Sequence, residues 1–285
     1  MPEPEAGLAP RHGRLLPVDW LLLGYSAVVV AVVAVRAATL PQWPWLITAH
    51  LLIALLIWLV RREGLGPVGR ALAALYPLLL LVGLYSELDI LNSGRVVHDT
   101  LVQHWEQALF GGQPSRDWWR THPSVLWSFI LHGAYLAYYP VLALPAFWLA
   151  ARGRAGDLQR FVLAVMLAFV SCYLCFVLMP VAGPYYAFPR PDGPFVETLT
   201  ARWVYDALSS GSSFGAAFPS SHVAATVAAL LAGWRASRRL GLVLLLPTLL
   251  LIVAVVYCQM HYAVDALAGL AVGIAAGTLG SSARA

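Results

Sequence analysis

Residues 238–280 read RRLGLVLLLPTLLLIVAVVYCQMHYAVDALAGLAVGIAAGTLG. Two apolar runs, 240–258 and 261–280, are joined by a short polar interruption around Gln259 and His261. Each run has the length of a helix crossing a bilayer, about 20 residues. A pair of arginines precedes the first run, and the second carries one carboxylate, Asp265. Further runs of the same kind lie upstream, near 17–36, 44–60, 69–90, 124–150, 159–180 and 221–238. Prolines mark several boundaries (Pro17, Pro44, Pro123, Pro180, Pro219), while Pro77, Pro140, Pro145 and Pro247 fall inside runs and predict kinks. The first run lacks a convincing cleavage site and is followed by more spans, so it reads as a span and not as a removed leader.

Composition agrees. The chain has 285 residues, 60% hydrophobic and 11% charged, where soluble domains carry about 25% charged residues. All 18 basic residues are arginine, scattered between apolar runs. The net charge of +4 therefore does not point to nucleic acid. Cys172 and Cys175 have redox-motif spacing but sit inside an apolar run, where packing is the better reading. These features predict an all-α, polytopic transmembrane helical bundle. It divides into an N-terminal tail with an accessory hairpin (1–68) and a six-helix core (69–285).

Arginine placement predicts the orientation. Eight spans put Arg11, Arg14, Arg61, Arg62, Arg70, Arg152, Arg154, Arg160, Arg235, Arg238, Arg239 and Arg284 on one side, expected to be cytoplasmic. Six arginines remain for the other side. That other side holds the two long connections. Residues 91–123 read as an interfacial helix followed by a loop, and 181–220 as an irregular segment rich in Gly, Pro, Ser and aromatics.

Both polar constellations face that side. Phe218-Pro219-Ser220-Ser221-His222 opens an apolar helix, and Ser and Pro suit a helix start. First-turn N–H groups have no helical partner and can seat a phosphate, with Ser220 and Ser221 adding donors. His261 and Asp265 are four residues apart, a spacing that places both on one helix face. A carboxylate beside an imidazole fixes its tautomer and raises its basicity. An intramembrane carboxylate is costly and points to function. Spans six and eight run in the same direction, so His222 and His261 are expected to share one pocket.

These segments resemble the type 2 phosphatidic acid phosphatase superfamily. Pro219-Ser220-Ser221-His222 matches its second motif, and His261 with Asp265 matches the end of its third. The run 217–222, His261-Tyr262-Ala263-Val264-Asp265, the segment 106–114 with Phe110-Gly111, and Tyr138-Tyr139 look closer to its inositol phosphorylceramide synthase-like branch. The resemblance covers roughly residues 90–280. Arg190-Pro191 fits the end of the first motif, but Gly183 stands where that motif has lysine. Ala254 and Val255 stand where the third motif begins Ser-Arg. Two phosphate cations of the family are thus missing. Arg190 is the candidate replacement, and Arg202 reads as a surface arginine. Tyr257 and Gln259 are neutral donor candidates, and Tyr185 and Tyr186 are candidate pocket residues.

The resemblance implies a lipid phosphate or phospholipid substrate held in the bilayer, no cofactor and no metal. It implies His261 as nucleophile, Asp265 as its orienting carboxylate and His222 as acid and base. The acceptor is water for a phosphatase and an alcohol for a phosphotransferase. A haloperoxidase, which belongs to the same superfamily, needs a soluble bundle and a strongly basic site, and this sequence has neither. A lipid-phosphate transporter or a catalytically degenerate scaffold remains the alternative. The expected location is the inner or plasma membrane, with the site on the non-cytoplasmic face. Single cysteines introduced at Arg95 and Ser237, with the native three removed, test that orientation. A membrane-impermeant thiol label should reach position 95 and spare 237; the reverse pattern would overturn it.

Overall fold

The computed structural model describes residues 14–62 and 66–283, so Arg11, Arg284 and most of the N-terminal tail lie outside the described residues. The chain divides into two compact units, residues 1–77 and 78–285.

In the first unit, α1 (Pro17–Val35) pairs with α2 (Trp43–Val60). Their ends are tied by a buried charge. Asp19, fully buried at the start of α1, accepts from Arg61 Nε (2.7 Å) and Nη2 (2.8 Å) just beyond α2. It also takes a hydrogen bond from the Tyr76 hydroxyl and one from the Leu16 N–H at 2.7 Å. A carboxylate can remain charged in such apolar surroundings only with its lone pairs filled in this way. α3 (Pro67–Asn92) runs across the division between the units.

The second unit continues with α4 (Asp99–Phe110) and α5 (Pro114–Thr121), then α6 (Val125–Leu136) and α7 (Tyr138–Ala151). The interfacial helix and loop expected over 91–123 are thus two helices. α6 and α7 form one bent span. Pro140 has no N–H to bond the carbonyl four residues back, so the helix breaks at Ala137 and restarts with Pro140 in its first turn, where the missing donor costs nothing.

α8 (Ala155–Leu178) is the most enclosed of the long helices. The connection after it carries a short α9 (Pro184–Ala187), a 3-10 turn at Gly193–Phe195 and α10 (Leu199–Gly211). The irregular segment expected over 181–220 therefore contains a 13-residue helix. Thr198 caps it by accepting from the Ala201 N–H, and buried Ala201 and Val204 give it an inner face.

The core is α8 packed with α11 (Ser221–Ala236) and α13 (Ala263–Ser282), with α12 (Arg238–Tyr257) alongside α11. Glycine lets α13 lie against α11. A Cβ at Gly269 would sit 2.5 Å from the Ser220 carbonyl oxygen, and one at Gly273 would sit 2.6 Å from that of Ala224. Small residues four apart permit this approach of two backbones.

Seven helices among the described residues are long and apolar enough to cross a membrane, which makes the chain a multi-pass membrane protein. The eighth expected span, 221–238, is α11 and has 16 residues, about 24 Å at 1.5 Å per residue. Its residues from Ser221 to Gly233 lie mostly inside the bundle, while Trp234 and Arg235 at its C-terminal end are exposed.

Candidate active site

Two helix starts meet at one end of the bundle. Phe218–Pro219 is a cis peptide bond, and Ser220 follows as N-cap of α11. Its Oγ accepts from the Val223 N–H, and its own N–H donates to the Asp265 carbonyl at 3.0 Å. Ser220 and Ser221 are buried, and the first-turn amides of α11 beyond the capped one are the open donors that a helix start leaves.

His222, in that turn, stacks on Tyr135 (centroids 4.8 Å, 28°) and packs against Tyr138 (4.5 Å, 47°). These tyrosines flank the break between α6 and α7. Its Nδ1 lies 3.4 Å from Nε2 of His261.

His261 sits in the turn before α13, not in its first turn as its spacing from Asp265 had suggested. Tyr262 is the N-cap and α13 begins at Ala263. The His261–Asp265 approach has a different origin. Asp265 is the third helical residue, and its Oδ2 folds back to accept from the Tyr262 N–H at 2.8 Å, which brings that oxygen 3.5 Å from His261 Nδ1. The nearer partner of Nδ1 is the Ala217 carbonyl at 3.0 Å. Since Nδ1 faces only acceptors, it carries the ring hydrogen. Nε2, on the other side of the ring, is turned toward His222.

α4 braces both sides of this centre. Asp99 Oδ2 accepts from the Ala182 N–H, and Oδ1 from the Gly183 N–H, each at 2.8 Å. Oδ1 also accepts from the Tyr262 hydroxyl at 2.9 Å, to which Gln103 donates. Two turns on from Asp99, buried Glu106 accepts from the Ala263 N–H through Oε1. Neither Asp99 nor Tyr135 stood out in the sequence. Glu106 stood out only as part of a resemblance.

The departure at position 183 has a steric cause. Gly183 has φ of +95°, and a Cβ there would lie 2.9 Å from that of Ala217. A lysine does not fit this backbone.

The remaining candidates are dispersed. Tyr257 gives its hydroxyl hydrogen to the His122 carbonyl at 2.8 Å. Gln259, at φ 59°, donates from Nε2 to the carbonyls of Pro184 and Pro189, while Oε1 accepts from Trp119 Nε1 and Arg120 Nη1. Both residues tie loops together and, in this arrangement, have no hydrogen left to offer a phosphate. Arg190 is exposed, with its guanidinium 4.3 Å above the Tyr185 ring and not on the histidines. Tyr186 pairs its hydroxyl with Ser212 Oγ at 2.8 Å. A cavity of about 350 Å³ opens beside α5, lined by Gln113, Asp117, Trp118 and His122 among others, and includes neither His222 nor His261.

Residues 100–279 match the family model for the PAP2 superfamily, and the chain belongs to that superfamily. Members are generally phosphatases and phosphoryl-transfer enzymes, which supports phosphatase-type activity on lipid phosphates here. Neither a curated protein nor a solved structure matches the chain.

Asp99→Asn tests the brace. Asparagine offers one acceptor oxygen where three donors converge, and sets an NH2 group against an N–H. It should lower stability by about 2–4 kcal/mol, seen as a clear fall in melting temperature in detergent; an unchanged melting temperature would contradict the assignment.

Proposed function

We propose that the protein is a membrane-embedded phosphatase or phosphotransferase of lipid phosphate esters that works through a phosphohistidine on His261. One observation carries this reading: His261 Nδ1 is held by the Ala217 carbonyl with Asp265 beside it, leaving Nε2 3.4 Å from His222.

In the first step Nε2 attacks phosphorus, the bond to the lipid alkoxide breaks, and His222 gives that oxygen a proton. Asp265 stabilises the positive ring. In the second step His222 takes the proton of the acceptor O–H, whose oxygen bonds to phosphorus as the P–N bond breaks. Covalent catalysis replaces one hard displacement with two easier ones. Attack needs phosphorus about 3–3.5 Å from Nε2, so substrate must part the two rings. The first-turn amides of α11, with Ser220 and Ser221, would hold the phosphoryl oxygens as charge shifts. Arg190 would supply a cation by swinging from Tyr185, and Tyr185 and Tyr186 would border the entrance. The site is proposed to face away from the cytoplasm, on the arginine bias.

The acceptor separates two enzymes. Water gives a phosphatase. An alcohol gives transfer of a phospho-headgroup to a lipid, the reading favoured by the branch resemblance at 106–114 and Tyr138-Tyr139. The test is purified protein in detergent with labelled phospholipids and isoprenoid phosphates, with and without inositol or diacylglycerol. Phosphate release identifies the phosphatase, and a new phosphodiester lipid the transferase. His261→Ala should reduce either by at least about 10³-fold, and His222→Ala by about 10²–10⁴-fold. Turnover that survives His261→Ala would refute the mechanism; its absence throughout a broad panel would favour a scaffold or transporter.

A further inference from the structure

Two carboxyl groups share the start of α13. Tyr262 and Ala263 present consecutive backbone N–H groups. Asp265 Oδ2 takes the first at 2.8 Å, and Glu106 Oε1, reaching over from α4, takes the second at 2.5 Å. Both side chains are fully buried. Neither outer oxygen, Asp265 Oδ1 nor Glu106 Oε2, has a hydrogen-bond partner or contact with solvent.

Two negative charges cannot both be comfortable there. Like charges at short range in a dry site force one group to keep its proton. The partial positive charge at the start of α13, worth about half an elementary charge, offsets one carboxylate at most.

The surroundings decide which group that is. Asp265 has the His261 ring at 3.5 Å, an imidazole that becomes positive during the proposed reaction. The charges facing Glu106 are Asp265 from α13 and the pair Asp117 and Arg116 from α5. Arg116 is bound to Asp117 through two hydrogen bonds, at 2.6 and 2.9 Å, so little of its charge is left for Glu106. On α4 itself the nearest acid along this network is Asp99, which is occupied by the amides of Ala182 and Gly183 and by Tyr262. Burial, joined by Asp265 and Asp117, pushes the Glu106 carboxyl up to about 7, against the pull of the Ala263 N–H and Arg116.

We propose that Glu106 is a positioning residue for the reaction at His261: it keeps its proton under mildly acidic conditions, so that there Asp265 carries the negative charge at the start of α13 and stays directed to His261. The inference rests on the phosphohistidine reading for its catalytic consequence, but the proton itself can be observed without turnover. A neutral Glu106 still accepts from the Ala263 N–H through its carbonyl oxygen, so the brace from α4 survives. When Glu106 ionises, it repels Asp265 and disturbs the carboxylate on which His261 depends.

The sign of the pH effect follows. An acid whose folded value lies above its unfolded one favours folding in its neutral form. That stability is present below the unfolded value, about 4.3, and is lost as pH rises toward and through about 7. Glu106→Gln, which mimics the neutral form, escapes the loss.

The experiment is infrared titration of the full chain in detergent, wild type against Glu106→Gln, with melting temperature and kcat measured across the same pH range. A protonated-carboxyl band present at pH 6, fading through about pH 7 and missing from Glu106→Gln is the expected result. The melting-temperature advantage of Glu106→Gln should widen from pH 5 to pH 8. Its kcat should stay within a few-fold of wild type at pH 6 without the wild-type decline above pH 7, with KM little changed. A wild-type chain whose Glu106 is already ionised at pH 6, or a variant that keeps the wild-type alkaline decline, overturns the proposal. If Glu106→Gln fails to assemble, the wild-type band decides alone. If wild type turns over no lipid phosphate, the functional reading fails while the band and the melting curves still decide this one.

Discussion

The approach of α13 to α11 through Gly269 and Gly273 governs the rest of the second unit, because it sets where two histidines can meet. The two backbones lie so close that a methyl group at either glycine would collide with a carbonyl oxygen of α11. In lipid there is no hydrophobic drive to bring helices together, and packing of this kind replaces it. With the helix starts in register, the Ser220 N–H reaches the Asp265 carbonyl. His222 and His261 then fall within 3.4 Å of each other. A wider separation of α11 and α13 would lose both links together.

The second constraint is the cost of polar groups in an apolar bundle. Three buried acids around the site lean on backbone N–H groups: Asp265 and Glu106 at the start of α13, and Asp99 at the 182–183 amides. α4 contributes two of these three acids and thereby joins the 181–183 segment to the turn carrying His261. The parallel bridge between Val181 and Ala216 extends that connection to the loop that supplies the Ala217 carbonyl. The His261 ring itself is held by two acceptors, the Ala217 carbonyl and the Asp265 carboxyl oxygen, and preorganisation of this kind is what phosphoryl transfer draws on.

Much of this was legible in the sequence. The spans stood out because lipid-length apolar runs have few other uses, and their helices end within a few residues of the expected bounds. His222, His261 and Asp265 stood out because polar side chains interrupt those runs, and the structure brings the three together. What was hidden depends on contacts across long sequence separations. Asp99 and Glu106 lie in an ordinary amphipathic helix, and only the fold carries them to residues about 160 positions away. The packing of Tyr135 on His222 follows from the helix break at Ala137, which no local pattern aims at α11. α10 was obscured by the glycine, proline and serine on either side of it. The place of His261 outside α13 could not be read from an i, i+4 spacing that fits a helix equally well. Tyr257 and Gln259 are close in sequence to His261, yet their hydrogens turn toward loop carbonyls.

The central claim is a covalent bond from phosphorus to His261, and the most direct test is to isolate it. Protein is mixed with a labelled lipid phosphate, quenched in alkali, where phosphohistidine survives, then digested and mapped by mass spectrometry. The account predicts phosphate on the peptide bearing His261 and none in His261→Ala. Turnover with no labelled peptide, or with the phosphate on another side chain, would contradict it.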